Sequence, residues 1–141
     1  MFVKLTNGQP SKYPYTLGEL RRDNPQTSFP RTIPPEVLAA YDVYPVQVVT
    51  APDVDSKTHR VVQSVEQAAT GWSQVWTVQE LAPDRAAANI RAHRDDLLRQ
   101  TDWMALSDVT MTPEMATYRQ ALRDITAQEG FPYSVTWPSK P

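Results

Sequence analysis

The side chains able to do chemistry in this chain are few and scattered. His59 and His93 are its two histidines, and they fall in different expected elements without a metal-ligating neighbour at helical spacing. His93 lies near the apolar stripe of a helix, where an imidazole more often packs than ligates. Asp53 and Asp55 open like a calcium loop. Its central glycine is missing, however, and Ser64 stands where the bidentate glutamate belongs, so the pair reads as a solvated turn. Asp95 and Asp96, with Asp102 further on, could suggest an acid pair. Neighbours on a helix diverge by about 100°, so Asp95 and Asp96 do not face each other. Four glycines supply neither a phosphate-cradling loop nor a nucleophile elbow. The absence of cysteine removes disulfides, zinc–thiolate sites and thiol catalysis. No catalytic residue, metal site or cofactor site is assigned, and a small peptidase or glycan hydrolase would have no catalytic set here.

Charge narrows the partners further. Fourteen Lys and Arg oppose sixteen Asp and Glu, a formal net charge of -2, which creates no broad attraction to nucleic acid or to an anionic membrane. Arg91, Arg94 and Arg99 make one helix locally basic, but Asp95 and Asp96 interrupt them and no aromatic residues interleave. No apolar run approaches the ~18 residues of a membrane span. The first residues lack a basic stretch followed by an apolar one, so no secretory signal is expected. What remains is a protein that works by contact.

The elements that would position such contacts follow from pattern. Four Trp argue against disorder, and 141 residues suit one ordinary domain or two small units. Thirteen prolines, roughly twice the usual share, force extended or turning chain. Residues 1–5 read as a strand, and Asn7-Gly8 as a tight turn. Residues 9–35 carry six prolines and read as an extended arm, with a short helix over 17–22 and Tyr13, Tyr15 and Phe29 as anchors. Such an arm lies either on its own domain or on another subunit. Pro34-Pro35-Glu36 opens a short helix through residue 40.

Strands are expected over 44–50, 59–65 and 72–81, arranged as an antiparallel meander, with Trp72, Trp76 and Val78 forming a core face. Pro83-Asp84 begins a helical region. The first helix, 84–100, carries Ala86, Ile90 and Leu97 on one stripe. A second starts at a Thr112 cap with Pro113 and Glu114, and places Met115, Tyr118, Leu122 and Ile125 at spacings of three and four. Gly130 is expected to end it in a left-handed conformation. The two helices should form a hairpin, followed by an extended tail with Val135 and Trp137 on one side. The fold class is therefore α+β. Residues 1–82 form a small antiparallel β-rich region that includes the arm, and residues 83–141 form a helical region ending in the tail.

The C-terminal half also carries a motif. It runs Arg94-Asp95-Asp96-Leu97-Leu98-Arg99-Gln100-Thr101-Asp102-Trp103, then Leu106 and Asp108, then Tyr118-Arg119-Gln120-Ala121-Leu122-Arg123-Asp124-Ile125, then Gly130-Phe131-Pro132, Val135 and Trp137-Pro138. In this order and spacing, residues 85–139 resemble the phage tail assembly chaperone family. They are also similar to the C-terminal part of phage tail-fibre assembly proteins. The family commonly has Trp three residues before the Tyr-Arg pair, and this chain has Met115 there, which fills a similar apolar volume.

The resemblance implies a chaperone acting on a tail-fibre or other tail or baseplate subunit, with a permanent place in the tail, baseplate or fibre as the alternative. It implies work in the host cytoplasm during assembly, or retention in the virion tail, and is compatible with a homo-oligomer. Trp103, Tyr118 and Trp137 should meet where the helices join the tail, either as plain core or as a recognition surface. Together with Tyr13, Tyr15 and Phe29 they are the candidate partner-binding residues.

Overall fold

Asn7 and Gly8 both adopt positive φ, 53° and 77°, and so reverse the chain within two residues. In the computed structural model, which describes residues 1–141, this turn joins β1 (Phe2–Thr6) to β2 (Gln9–Tyr15) as an antiparallel pair. Of the two places expected for the arm, its own domain or another subunit, residues 9–15 take the first and pair with β1. Pro10 and Pro14 are accommodated because β2 is an edge strand, where a missing N–H leaves no ladder partner unsatisfied.

Helix α1 (Leu17–Asp23) follows at once. Thr16 caps it by accepting from the Glu19 N–H at 3.2 Å, and Glu19 accepts in return from the Thr16 N–H at 2.8 Å. Lys12 of β2 reaches the same carboxylate at 2.7 Å. Lys12 foremost, then the Thr16 hydroxyl, which also donates to this carboxylate at 2.8 Å, and the Thr16 N–H hold the Glu19 carboxyl well below its ordinary range, at about 2. Helix α2 (Pro35–Ala39) begins where the double proline predicts.

Tyr15, Leu20, Ile33, Leu38 and Val43 form a closed core under these elements, with Phe29 and Tyr41 packed against it edge to face at 5.2 Å. Burial, and a 2.6 Å hydrogen bond donated to Asp23, push the Tyr15 phenol far above its usual range.

Strands β3 (Val43–Gln47), β4 (His59–Ala68) and β5 (Gly71–Glu80) complete a five-stranded sheet of order β2-β1-β3-β5-β4. The sheet is mixed, not the antiparallel meander expected. β3 runs antiparallel to β1 but parallel to β5, with Val46 opposite Trp72 and Gln47 opposite Ser73. Residues 48–58, between β3 and β4, hold no strand or helix. That connection is long enough to carry the chain past the neighbouring position, which leaves the slot beside β3 to β5.

The expected core face of Trp72, Trp76 and Val78 is corrected in part, since Trp72 does pack against the core of Val3, Leu5 and Val46. Val78 is 46% exposed, and the buried residue of that face is Gln74. Backbone beyond β3 explains the polarity. Gln74 accepts from the Val49 N–H at 3.2 Å, and the Trp76 indole donates to the Val49 carbonyl at 2.8 Å. These side chains satisfy backbone groups that no strand partner reaches.

The C-terminal region contains α3 (Pro83–Arg99), a 3-10 turn (Asp102–Ala105), α4 (Pro113–Arg123) and a second 3-10 turn (Asp124–Ala127). Ala86, Ala87 and Ile90 of α3 are buried, as are Met115, Tyr118, Leu122 and Ile125. Thr112 caps α4, accepting from the Met115 N–H at 3.3 Å. The expected left-handed stop at Gly130 is not found. Positive-φ glycines occur only at Gly8 and Gly71, and α4 tightens into 3-10 geometry before Gly130. Gly130 serves another need. Its carbonyl accepts from the Ser134 N–H at 2.7 Å, in a turn so tight that a Cβ would collide with the Ser134 carbonyl.

The chain divides into two compact units, Met1–Asp53 with Val61–Thr77, and Val54–Arg60 with Val78–Pro141. No helix is long and apolar enough to cross a membrane.

Candidate functional site

The end of α3 needs donors. Its last carbonyls have no partner within the helix, and no glycine follows to close it in a left-handed cap. Thr101 supplies two, its N–H and hydroxyl both donating to the Leu98 carbonyl at 2.9 Å, and Arg119 of α4 adds a third. Its Nη1 donates to the Leu98 carbonyl at 3.0 Å and to the Thr101 hydroxyl, and its Nη2 pairs with Asp102 at 2.9 Å. Arg119 is 6% exposed and Thr101 is 1% exposed, so the guanidinium sits inside the protein while Asp102 faces water. Desolvating a cation costs several kcal/mol unless its donors are satisfied, and here a planar fork meets three acceptors at once. Motif reading quoted Arg119 without seeing this role. The available signal was its spacing, four residues after Met115 and three before Leu122, on the apolar stripe itself.

Below the clamp lies a core of Met115, Tyr118 and Leu122, lined by Leu97, Leu98, Met104, Met111 and Trp137. Met115 is buried in this core. Beyond the clamp, the 3-10 turn lifts Trp103 and Leu106 outward, 55% and 57% exposed. Beside them runs an open groove of about 230 Å³, walled by Trp103, Met104, Val109, Met111, Met115 and Pro141. A shallower hollow of about 420 Å³ lies on the outer side of α4, between Tyr118, Ala121 and Pro138. An apolar crest beside a methionine-lined groove is suited to adaptable apolar contact.

The six candidate contact residues separate into distinct environments. Tyr15 and Tyr118 are core residues. Tyr13 is half-buried against the sheet core, and its hydroxyl has no hydrogen-bond partner. Phe29 packs on Tyr41. Trp137 lies against the Tyr118 core and stacks edge to face on His93 at 4.7 Å. Trp103 is the one with most of its surface free, and it does not join Tyr118 and Trp137 in the core cluster.

His59, Asp55, Asp95 and Asp96 each have a partner within the chain. His59 bonds the Thr58 hydroxyl at 2.8 Å and meets the Tyr133 ring at 6.2 Å. Asp55 accepts from the Lys57 N–H at 2.9 Å, which holds its carboxyl below the usual range and closes the turn read from sequence. Asp95 pairs with Arg94 and Asp96 with Arg99, each at 2.7 Å, as expected of a solvated helix face.

No curated protein and no solved structure matches the chain. Residues 87–141 do match a family model, that of the phage tail assembly chaperone protein. The match takes in most of α3, the Arg119 clamp, the exposed crest, the groove and the Trp137 tail. Over residues 87–141 the chain is therefore similar to the phage tail assembly chaperone family.

Proposed function

We propose that the protein is a tail assembly chaperone acting by contact alone, with a tail-fibre subunit as its client. The Trp103–Leu106 crest and its groove would receive apolar side chains of that client, covering them until the client trimerises or docks. The observation that carries this reading is the exposure of Trp103 and Leu106 on the segment that matches the family. Large exposed apolar residues beside a groove mark contact surfaces, and Trp leads among residues that dominate binding energy. Met104, Met111 and Met115 can repack around different apolar partners. Such a protein works in the host cytoplasm during assembly.

Co-expression with the fibre and other tail subunits, followed by co-purification, tests the reading. Trp103→Ala combined with Leu106→Ala should weaken recovery of the client by at least about tenfold, the effect of losing one hot spot. The urea midpoint should not fall, because both side chains are largely in water already. Undiminished recovery would take the crest out of the interface. A permanent place in the tail, baseplate or fibre is the competing role, and mass analysis of purified virions separates the two. The ordering of the proline-rich front gives that competitor little support, since β2 and α1 are held by their own unit.

A further inference from the structure

The two edges of the sheet differ in character. On one side, β2 carries Pro10 and Pro14, which lack donors, and Lys12, a charge that discourages another strand. On the other, β4 runs ten residues, HRVVQSVEQA, with no proline and no lysine. Its outer side is unpaired in the sheet order. Edges this long are ordinarily blunted.

The alternation of β4 can be worked out from its pairing with β5. A two-residue turn joins Ala68 to Gly71, so the strands are antiparallel. The Leu81 N–H donates to the Thr58 carbonyl at 2.8 Å just below the hairpin, and Arg60 reaches Gln79 across it at 2.9 Å. Even-numbered residues of β4 therefore turn their backbone groups towards β5. Odd-numbered residues turn theirs outward: Val61, Gln63, Val65 and Gln67 with both groups, and His59 with its carbonyl, since its N–H donates to the Asp55 carbonyl at 2.8 Å. These outward N–H and C=O groups form a ready ladder.

We infer that β4 pairs antiparallel with β4 of a second copy of this chain, centred on Gln63, joining the two sheets into one. The strand is complementary to itself about that residue. Val61 of each copy meets Val65 of the other as a hydrogen-bonded pair, and His59 meets Gln67. The alternate pairs are the closer ones, about 4.5 Å between Cα atoms. There, Arg60 of each copy meets Glu66 of the other, and Val62 meets Ser64. Neither Arg60 nor Glu66 has an ion-pair partner within its own chain; the Arg60 guanidinium is held by the neutral Gln79 amide. Opposite charges at matching distances from the centre favour this register and penalise shifted ones, which oppose Glu66 to Val62 or Ser64. The same charges deter unrelated strands, so the edge is selective without proline.

Sedimentation of the full chain across a concentration series tests the pairing. The wild-type chain should be a dimer in reversible equilibrium with monomer. Arg60→Glu and Glu66→Arg should each raise the dissociation constant about tenfold or more, because each turns two symmetry-related attractions into repulsions. The double variant Arg60→Glu/Glu66→Arg should restore dimerisation. A second measurement follows the edge directly. In concentrated samples the Val61, Gln63 and Val65 amides should exchange more slowly than in dilute ones. A wild-type chain that stays monomeric up to about 1 mM overturns the proposal. So does a dimer indifferent to the single swaps, a double swap that does not recover, or odd-numbered amides whose exchange ignores concentration.

Discussion

Arg119→Ala removes a group that ties α4 to the end of α3, and the structure apportions the loss. The Leu98 carbonyl would not be orphaned, because the Thr101 N–H and hydroxyl both still donate to it at 2.9 Å. The Asp102 carboxylate, 61% exposed, would return to water, so its ion pair contributes at most about 1 kcal/mol. What cannot be replaced is the charged hydrogen bond to the Thr101 hydroxyl, made inside the protein, about 1.5–3 kcal/mol. To this is added the packing of a buried aliphatic stem, about 1 kcal/mol. Arg119→Ala should therefore cost about 3 kcal/mol, and Asp102→Asn less than about 1 kcal/mol. Arg119→Lys should fall between them, since an ammonium cannot present a planar fork.

The assay is a urea titration followed by tryptophan fluorescence, in which Trp137, packed against the Tyr118 core, changes surroundings on unfolding. The ordering of the two variants is the decisive result. If Arg119→Ala costs no more than Asp102→Asn, the guanidinium is acting as an ordinary surface cation and the clamp argument fails. A working clamp has a functional consequence as well. Trp103 directly follows Asp102, so a loosened α3 end should also lower client recovery in co-purification.

Three further outcomes test other parts of the fold. Leu122 is fully buried in the Met115–Tyr118 core, and Leu122→Ala should cost about 2–5 kcal/mol in the same titration; a loss below about 0.5 kcal/mol would mean the stripe faces elsewhere. Gly130→Ala should destabilise by about 1–3 kcal/mol because the new Cβ meets backbone, and a neutral result would show that the Gly130–Ser134 turn opens freely. Glu19 gives a pH test. Folding lowers its carboxyl from an ordinary 4.5 to about 2, so its stabilisation of α1 is complete above 4.5 and is lost as pH falls towards 2. Glu19→Gln should flatten that part of the acid titration, and an unchanged acid limb would assign the effect to another group.

Local chemistry was legible in the sequence because its causes are local. Asn7-Gly8 tolerates positive φ wherever it stands, so the first turn could be read without a fold. Thr112, Pro113 and Glu114 start a helix through bonds and dipoles contained in one turn, and the three-and-four spacing of Met115, Tyr118, Leu122 and Ile125 dictates a buried stripe. The Tyr-Arg and Trp-Pro motif carried the family in the same way, as order and spacing along one segment.

What the sequence left open depended on residues far apart in the chain. Period-two alternation tells which residues share a face but not which strand lies alongside, so the parallel β3–β5 pairing emerged only in three dimensions. Prolines in residues 9–15 suggested extended chain without saying what it lies on, and only the edge position of β2 made them compatible with a ladder. Gln74 looked like a polar interruption of a tryptophan face until the backbone of Val49 appeared beside it. Arg119, a charge at a stripe position, became intelligible once the open end of α3 stood opposite, because a buried cation is stable only where the fold brings its acceptors.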